Sequence, residues 1–553
     1  MRKFCITRLV FSVGIVILSL PLFVSATITT NTIDDFYVEQ SYDANNREEI
    51  SAKVKKVSDH GYFYIETEWW NNLNSNQRNE YSVKISDLAD KFDDEIYPIM
   101  TDTYGDEWKL GIDGDPKITI LIHETVDNAF GYFREVDEAN KLKRSDSNER
   151  EIVYLSSKVL DTVYPESYLA HEFMHLIHYN QKNRINLTDD EVWINELRAE
   201  YAPTLLGYDD GYIGSNLQGR IRAFTQNSND SLIEWDGESA DYGAINMFGQ
   251  YLVEQFGIEI LTESLFSNKK GLESLDYALD KLNIDKTIEQ VFMDWQIAIS
   301  ANDCFLGEEY CYKNTYLSSI KPFHSLIYLP NTKELDYGLT HSIKQWSGNW
   351  YKILGGNKGI KIEFTSDEDF IVPYFVEQNN NVQYLKYLEI KDGKGEIEMP
   401  YFGQDNKSIT LIPNVIGDYT GENYTFSLNI STFEPEENLD ALLAQIEELQ
   451  AQIQSLLLKI QQIKGDSCSS INNNLYLGLT NNQGVKCLQQ LLVDEDVYPE
   501  AIVNGNFFLL TKNAVIKFQN KYKLEILTPV GLFQGSGYVG PMTRAKINNI
   551  LSQ

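Results

Sequence analysis

The chain has 553 residues, enough for about three to five domains. Its 42% apolar and 23% charged residues are typical of folded globular proteins and argue against a disordered chain. With 81 acidic and 47 basic residues, the formal net charge is -34, which argues against a phosphate-binding surface, so no nucleic acid is expected as a partner. The acidic excess favours solubility and an affinity for cations.

The N-terminus has the pattern of an export signal over residues 1–26. Three basic residues precede an apolar run at 10–24, and small residues lead to a cleavage site after Ala26. The run is shorter than the ~20 residues that span a bilayer comfortably, which favours cleavage over the alternative of an uncleaved membrane anchor. We therefore expect a secreted or cell-wall-associated protein.

Four cysteines lie beyond the predicted signal, at Cys304, Cys311, Cys468 and Cys487. An even number of cysteines in an exported chain predicts disulfides. Pairing of neighbours along the chain is one of three possible connectivities. Neither neighbouring pair has the close spacing of a zinc-binding cysteine motif.

Strand-like and helical runs alternate in the first part of the chain. Strands are predicted at 62–66, 117–123 and 152–156, where β-branched and apolar residues are enriched, and a helix is predicted at 83–100. From residue 164 to about 299 the pattern is mainly helical. An α+β domain is the expected result.

Residues 301–434 have a different pattern. Short strand-like runs at 359–364, 370–375, 408–413 and 424–430 are separated by clusters of Gly, Asn and Asp. This spacing predicts an all-β sandwich domain.

The clearest periodicity of the chain lies in residues 435–464. Apolar residues alternate at spacings of three and four, as at the a and d positions of a heptad repeat: Leu439, Leu442, Ile446, Leu449, Ile453, Leu456, Ile460 and Ile463. This pattern predicts a short coiled coil that acts as a stalk or self-associates through 439–463. The alternative is a single amphipathic helix that lies on a neighbouring domain.

His171-Glu172-Phe173-Met174-His175 is an H-E-x-x-H motif. Residues four apart share one face of a helix, so both imidazoles can bind the same metal ion. The carboxylate of Glu172 can reach a water molecule on that ion as a general base. The motif therefore predicts a catalytic zinc site.

A second helix supplies the third candidate ligand. The segment 188–191, Thr-Asp-Asp-Glu, has the pattern of a capping box that starts this helix. Glu196 then completes a two-histidine, one-glutamate set with an open position. Glu200 lies four residues on, where it can accept a hydrogen bond from a ligand histidine. The alternative is a pair of amphipathic helices with solvent-facing charges.

These residues resemble the gluzincin metallopeptidases, whose motif continues with Asn-Glu-x-x-Ala/Ser-Asp/Glu. Asn195, Glu196, Ala199 and Glu200 fill that pattern. Within the group, the runs at 171–180 and 193–196 are similar to those of hyicolysin-type and immune-inhibitor-A-like bacterial peptidases. The resemblance covers roughly residues 85–300 and implies a zincin-like domain at 81–300.

The resemblance further implies Zn²⁺ as cofactor, with Ca²⁺ as a second candidate, and a protein or peptide as substrate. Residues 27–80 form an N-terminal segment that is a candidate pro-region.

Two further residues are candidates for the same site. In the resembling families a Tyr or His from a later helix stabilises the oxyanion, and Tyr242 begins a helix-like segment here, although a tyrosine that only packs is the alternative. His178 lies near the ligand face, where it is either a substrate-side group or a histidine at a polar edge of the core.

Residues 465–553 resemble the three-helix peptidoglycan-binding-like domain. The likeness rests on Leu477, Gly478, Val485, Leu488, Gln489, Gly505, Phe507, Thr511, Ala514, Val515, Phe518, Gln519, Gly540 and Thr543. It makes peptidoglycan a candidate partner.

The sequence thus predicts a multidomain, secreted zinc endopeptidase. The alternative is a non-catalytic surface protein with a vestigial zincin domain.

Overall fold

The computed structural model describes residues 28–331, 334–378, 381–403, 407–434, 449–450, 452–453, 470–499 and 502–552. The predicted export signal at 1–26 lies outside the described residues. So does the predicted coiled coil at 435–464, apart from 449–450 and 452–453, which are helical. Within the described ranges, no helix has the length and apolar character to cross a membrane.

The N-terminal half is built on a six-stranded sheet of order β1-β2-β3-β4-β6-β5. Its strands are β1 Ile33–Tyr37, β2 Glu49–Val57, β3 Gly61–Glu66, β4 Ile118–His123, β5 Gly131–Phe133 and β6 Ile152–Ser156. The central strands β3, β4 and β6 run parallel and every residue in them is buried, as expected for strands covered on both faces. The short strand β5 is antiparallel to β6 and forms one edge.

Residues 28–80 are part of this sheet. They contribute β1, β2 and β3, and β3 pairs in parallel with β4. Loss of these residues would remove half of the strands, and a boundary at residue 80 would fall inside the helix Ser75–Lys91. Residues 28–80 thus supply three of the six strands of this sheet, and the candidate pro-region at 27–80 stays a prediction.

Helices cover the sheet and extend beyond it. They are α1 Thr67–Asn72, α2 Ser75–Lys91, α3 Tyr97–Tyr104, α4 Pro165–His178, α5 Val192–Leu205, α6 Asn216–Gln226, α7 Ser239–Phe256, α8 Glu259–Phe266, α9 Gly271–Lys281 and α10 Ile288–Ala301. Helix α4 begins at Pro165, whose fixed φ and missing N–H suit a first helical position. Phe173 anchors α4 in the core, with its ring 5.2 Å from that of Phe92 and 5.5 Å from that of Tyr97.

The predicted capping box at 188–191 is wrong. Helix α5 starts directly after this segment, and no side chain caps its first turn. The carboxylate of Glu191 instead accepts a hydrogen bond from the Trp193 indole at 2.7 Å. Asp190 pairs with the buried Arg198 at 2.9 Å. Glu191 and Asp190 thus bond to residues of the same helix, and Asp190 also accepts the distant Gly271 N–H, instead of capping the first turn.

Two further sheets enclose a second core. One has the order β13-β10-β15-β8 and the other β12-β11-β14-β9-β7. The strands are β7 His324–Leu329, β8 Asp336–Lys344, β9 Trp350–Gly355, β10 Gly359–Thr365, β11 Pro373–Gln378, β12 Asn381–Tyr387, β13 Lys394–Met399, β14 Lys407–Leu411 and β15 Asn423–Phe433. The strand predicted at 370–375 begins three residues later than expected, because Ile371 pairs only through an isolated bridge to Asn414.

This two-sheet unit packs against α10. The Trp346 ring lies 5.0 Å from that of Phe292, and the Trp350 indole donates a hydrogen bond to the carbonyl of Gln296 at 3.0 Å. Both tryptophans are buried in the core of the N-terminal half. The two units therefore share a continuous apolar interface.

The described C-terminal residues form a separate small core. Its helices are α11 Gln483–Asp494, α12 Leu509–Lys521, α13 Lys523–Ile526 and α14 Pro541–Leu551. The chain as a whole is thus a multidomain protein of helices and several sheets. A disulfide joins Cys304 to Cys311, which is the neighbour pairing among the three connectivities that the sequence leaves open. Cys487 is also disulfide-bonded, and Cys468 lies outside the described residues.

Candidate metal centre

Three predicted ligands converge between α4 and α5. One candidate ligand atom from each of His171, His175 and Glu196 lies within 4.8 Å of the others. The two Nε2 atoms are 3.3 Å apart, and the carboxylate oxygens of Glu196 lie 3.3 Å from His171 Nε2 and 3.7 Å from His175 Nε2. This arrangement follows from the four-residue spacing on α4 and the antiparallel return of α5.

The other nitrogen of each imidazole faces a fixed acceptor. Nδ1 of His175 lies 3.1 Å from Oδ1 of Asn195, and Nδ1 of His171 lies 3.4 Å from Oε1 of Glu200. An oxygen acceptor favours the proton on Nδ1 and leaves the lone pair of Nε2 directed at the cluster. The two acceptors therefore orient both imidazoles for metal binding.

The carboxylate of Glu200 is held by residues that the sequence did not single out. Arg220 on α6 donates to both of its oxygens, at 2.7 and 2.6 Å. Asn216 donates at 2.8 Å and Asn246 on α7 at 3.3 Å. Burial alone would raise the pKa of Glu200, but Arg220 and then His171 lower it below its ordinary value. Glu200 is therefore a carboxylate that accepts hydrogen bonds.

The donor set fits a zinc ion. Two imidazole nitrogens and one carboxylate are typical of catalytic zinc sites. Oε2 of Glu196 is buried and has no hydrogen-bond partner among the described residues. Burial opposes protonation of His171, yet the hydrogen bond with Glu196 raises the pKa of His171 to about 9. Burial likewise would raise the pKa of Glu196, but the two histidines lower it.

Glu172 adjoins the candidate ligands on α4 and is shielded from solvent. Its side chain is buried, and Oε2 has no hydrogen-bond partner in the described part of the chain. Burial raises the pKa of Glu172 to about 8, and the charges of Glu196 and Glu200 act in the same direction against that of His171. On the strand β5, Gly131 packs directly on Glu172: a Cβ added there would lie 2.8 Å from Cγ and Cδ.

Tyr242 lies near the start of α7, beside the network of Glu200. Its ring is 4.6 Å from the Arg220 guanidinium and 5.0 Å from the ring of Trp235. Burial, followed by the charges of Glu196 and Glu200, raises the pKa of its hydroxyl above the ordinary value. The hydroxyl therefore keeps its proton and can donate a hydrogen bond.

His178 lies away from the ligand atoms. It is buried in the interior, with Nδ1 3.4 Å from Nη1 of Arg198. Burial, Arg198 and His175 lower its pKa well below the ordinary value, so it is a neutral core histidine.

No family model matches the chain. The chain is similar to the neutral metalloprotease ShpI of Staphylococcus hyicus, with 26% identity over 220 residues that cover 35% of this chain and 48% of the relative. The similarity thus spans about half the length of that protein. It supports a relationship of this chain to metallopeptidases.

Solved structures that are similar to the chain include two that each cover 20% of it. A C-terminal domain of collagenase from Bacillus anthracis has a TM-score of 0.16 and 14% identity, covering 20% of this chain and 94% of that one. The lysozyme inhibitor PliG of Aeromonas hydrophila has a TM-score of 0.15 and 12% identity, covering 20% and 97%. Scores this low carry no argument about fold or function.

Proposed function

We propose that this chain is an exported zinc-dependent endopeptidase of the gluzincin type that hydrolyses protein or peptide substrates. The observation that carries the proposal is the convergence of His171, His175 and Glu196 next to the buried Glu172. The similarity to a metalloprotease supports the same conclusion.

His171, His175 and Glu196 would hold the ion. When bound, zinc supplies a Lewis acid that polarises the peptide carbonyl and acidifies a water molecule. Glu172 accepts the proton of the attacking water at its carboxylate and passes it to the nitrogen of the leaving amine. Tyr242 donates its hydroxyl proton in a hydrogen bond to the developing oxyanion, because its raised pKa keeps it protonated.

The edge strand β5 offers a binding mode for an extended peptide. It pairs with β6 on one side only among the described strands, so the main-chain groups of its other side can pair with a substrate strand. Gly131 brings this strand into contact with Glu172, which places the bound peptide beside the general base.

The alternative is a non-catalytic surface protein whose zincin domain is vestigial. The C-terminal unit exposes a pair of tyrosines, Tyr476 and Tyr538, with ring centroids 6.5 Å apart, which could contact a sugar or peptide of the cell wall. Retention of both histidines, Glu196 and Glu172 disfavours this alternative, since a relic is free to lose any of them.

The test compares the purified chain from residue 27 with the variant Glu172→Gln on casein. Wild type should cleave casein, lose activity with o-phenanthroline and regain it with zinc. Glu172→Gln should bind one zinc per chain, as measured by elemental analysis, without cleaving. Glu166→Gln, on the first turn of the same helix, should behave as wild type.

Cleavage that persists both with the chelator and in Glu172→Gln would falsify the mechanism. Stoichiometric zinc without turnover of a broad peptide library would favour the alternative.

A further inference from the structure

The segment 228–238, between α6 and α7, is attached to the two-sheet unit. Its neighbour there is the turn that joins β8 to β9. The hydroxyl of Ser231 donates a hydrogen bond to the carbonyl of Gln345 at 2.8 Å. The N–H of Leu232 donates to the carbonyl of Trp346, also at 2.8 Å. Both bonds end on main-chain oxygens of the turn, so the segment is fixed to the two-sheet unit at this point.

The other end of the segment is fixed to the start of α7. Oδ2 of Asp241 accepts the backbone N–H groups of Asp236 at 3.1 Å and of Glu238 at 2.8 Å. Asp241 lies in the first turn of α7, where it forms a capping box with Glu238. Because Tyr242 directly follows Asp241, the segment ends beside the proposed oxyanion donor.

Trp235 lies between these two attachment points and packs on Tyr242. Their ring centroids are 5.0 Å apart, and the rings meet edge to face at 73°. Trp235 is half-buried against the core of the N-terminal half. The guanidinium of Arg220, which also binds Glu200, lies over the Tyr242 ring at 4.6 Å. Both contacts act on the ring, and the hydroxyl at its far end moves with the ring.

The support of Trp235 comes from outside the part of the chain that carries the metal-binding motifs. Trp235 belongs to a connecting segment rather than to a helix or strand, so its position depends on what the segment is attached to. One attachment is the turn after β8, which lies more than 140 residues beyond the proposed ligand Glu196. The two-sheet unit thus contacts the site indirectly, through one short segment.

We propose that Trp235 is a positioning residue for Tyr242, and that the two-sheet unit keeps Trp235 in place. The proposal rests on the proposed function, in which the Tyr242 hydroxyl donates a hydrogen bond to the developing oxyanion. Such a donor acts only at hydrogen-bond distance, and a misplacement of roughly 1 Å costs on the order of 10²-fold in rate. The two-sheet unit supplies none of the proposed metal ligands, yet it would influence the rate of the reaction.

The test is a double-mutant cycle between Trp235 and Tyr242 in the full mature chain loaded with zinc. The rate constants kcat and KM are measured on a fluorogenic peptide. Trp235→Ala should lower kcat by about 10-fold and leave KM within about twofold, because the oxyanion forms only after the substrate has bound. Tyr242→Phe should lower kcat by about 10²-fold. In the Tyr242→Phe background, Trp235→Ala should change kcat by less than about twofold, since the hydroxyl that it positions is already absent.

The controls separate positioning from general packing. Trp235→Phe, which keeps an aromatic ring, should recover most of the lost kcat. Trp70→Ala should keep the wild-type kcat, because Trp70 is another partly buried tryptophan of the N-terminal half, and its ring contacts Lys55. Zinc content and the unfolding midpoint show whether each variant is folded. If Trp235→Ala folds poorly, Trp235→Leu takes its place in the cycle, since leucine keeps apolar bulk without a ring.

Ser231→Ala tests the support from the two-sheet unit. It removes the hydrogen bond to Gln345 and should speed amide hydrogen exchange in peptides that cover 228–238. It should lower kcat by about 2- to 5-fold in the wild-type background and leave kcat of Tyr242→Phe unchanged. Unchanged exchange together with an unchanged kcat would overturn the role given to the two-sheet unit.

The outcome of the cycle decides the role of Trp235. A wild-type kcat in Trp235→Ala, or an equal fold-loss from Trp235→Ala with and without the Tyr242 hydroxyl, overturns the proposal. A failure of the proposed function is recognised separately. In that case the wild-type chain itself cleaves no peptide, or Tyr242→Phe cleaves at the wild-type rate, and the proposal is refuted together with the function on which it rests.

Discussion

Substitution of Gly131 by alanine tests the proposed general base, Glu172, independently of the proposed metal ligands. The backbone φ of Gly131 lies outside the left-handed region, so alanine is allowed there and the effect comes from the added methyl group alone. That methyl would lie 2.8 Å from Cγ and Cδ of Glu172, whereas ordinary van der Waals contact begins at 3.4 Å. Rotation of the carboxyl group cannot relieve a clash with Cγ, so the side chain must move.

The required displacement is about 0.6 Å at Cγ and Cδ, and the carboxylate at the end of the side chain moves further. A misplacement of roughly 1 Å costs on the order of 10²-fold in rate. We therefore expect Gly131→Ala to lower kcat by about 10- to 100-fold. Zinc content should not change, because the three atoms nearest to the added methyl all belong to Glu172.

The assay follows kcat and KM on a fluorogenic peptide, together with zinc by elemental analysis and the unfolding midpoint. Gly219→Ala is the matched control, since Gly219 lies on α6 and an added Cβ there meets nothing within 4 Å. It should retain full activity and gain a little stability, as alanine is favoured in helices. Gly131→Ala with wild-type kcat and bound zinc would show that Glu172 is not positioned by β5.

Four further predictions concern other parts of the molecule. Glu196→Gln should abolish zinc binding in competition with a chromogenic chelator, while Glu200→Gln should weaken it about 10- to 100-fold; the reverse order would contradict the ligand assignment. Arg220→Met should lower the free energy of unfolding in urea by roughly 2–4 kcal/mol, because it leaves the carboxylate of Glu200 buried without its cation, and an unchanged urea midpoint would count against this role. Burial and two nearby lysines lower the pKa of His324 from 6.5 to about 4, so the folded state binds fewer protons than the unfolded state. The free energy of unfolding should therefore fall by roughly 1–3 kcal/mol as the pH drops from about 6.5 to about 4. Its slope against pH should be smaller in His324→Gln, and an equal slope in both proteins would exclude His324 as the cause. The fragment 465–553 should sediment with insoluble peptidoglycan, and its complete recovery in the supernatant at low salt would leave it as a packing domain.

The ligand residues could be predicted because their chemistry lies in contiguous motifs on helices. The spacing of His171 and His175 is a property of any α-helix, so their shared face needs no tertiary knowledge. Glu196 and Glu200 lie four apart on the second helix and follow the same rule, and the resemblance to a family motif supports Glu196 as the ligand. The strands of the central sheet could be predicted for a similar reason, since buried strands such as β4 are enriched in β-branched and apolar residues.

The rest of the site depends on long-range contacts that leave no local pattern. The strand β5 has only three residues, too few for a periodicity, and the importance of Gly131 appears only when Glu172 lies against it. Nothing in the sequence distinguishes Arg220 from the other basic residues, and its role follows only from its contact with Glu200. The capping box failed because Glu191 bonds to the Trp193 indole and Asp190 to Arg198 and to the distant Gly271 N–H, contacts that the capping pattern does not encode.

The hydrogen bonds of Glu200 show that α4 and α5, the helices that carry the motifs, depend on α6 and α7. Glu200 orients His171, but a buried carboxylate would be unstable without Arg220 and Asn216 on α6 and Asn246 on α7. Glu200 on α5 orients His171 on α4, and residues of α6 and α7 in turn hold Glu200 in place. A fragment that ends after α5 would retain every residue of the motifs and still leave Glu200 without its cation. The proposed metal centre therefore depends on the chain at least as far as Asn246 on α7.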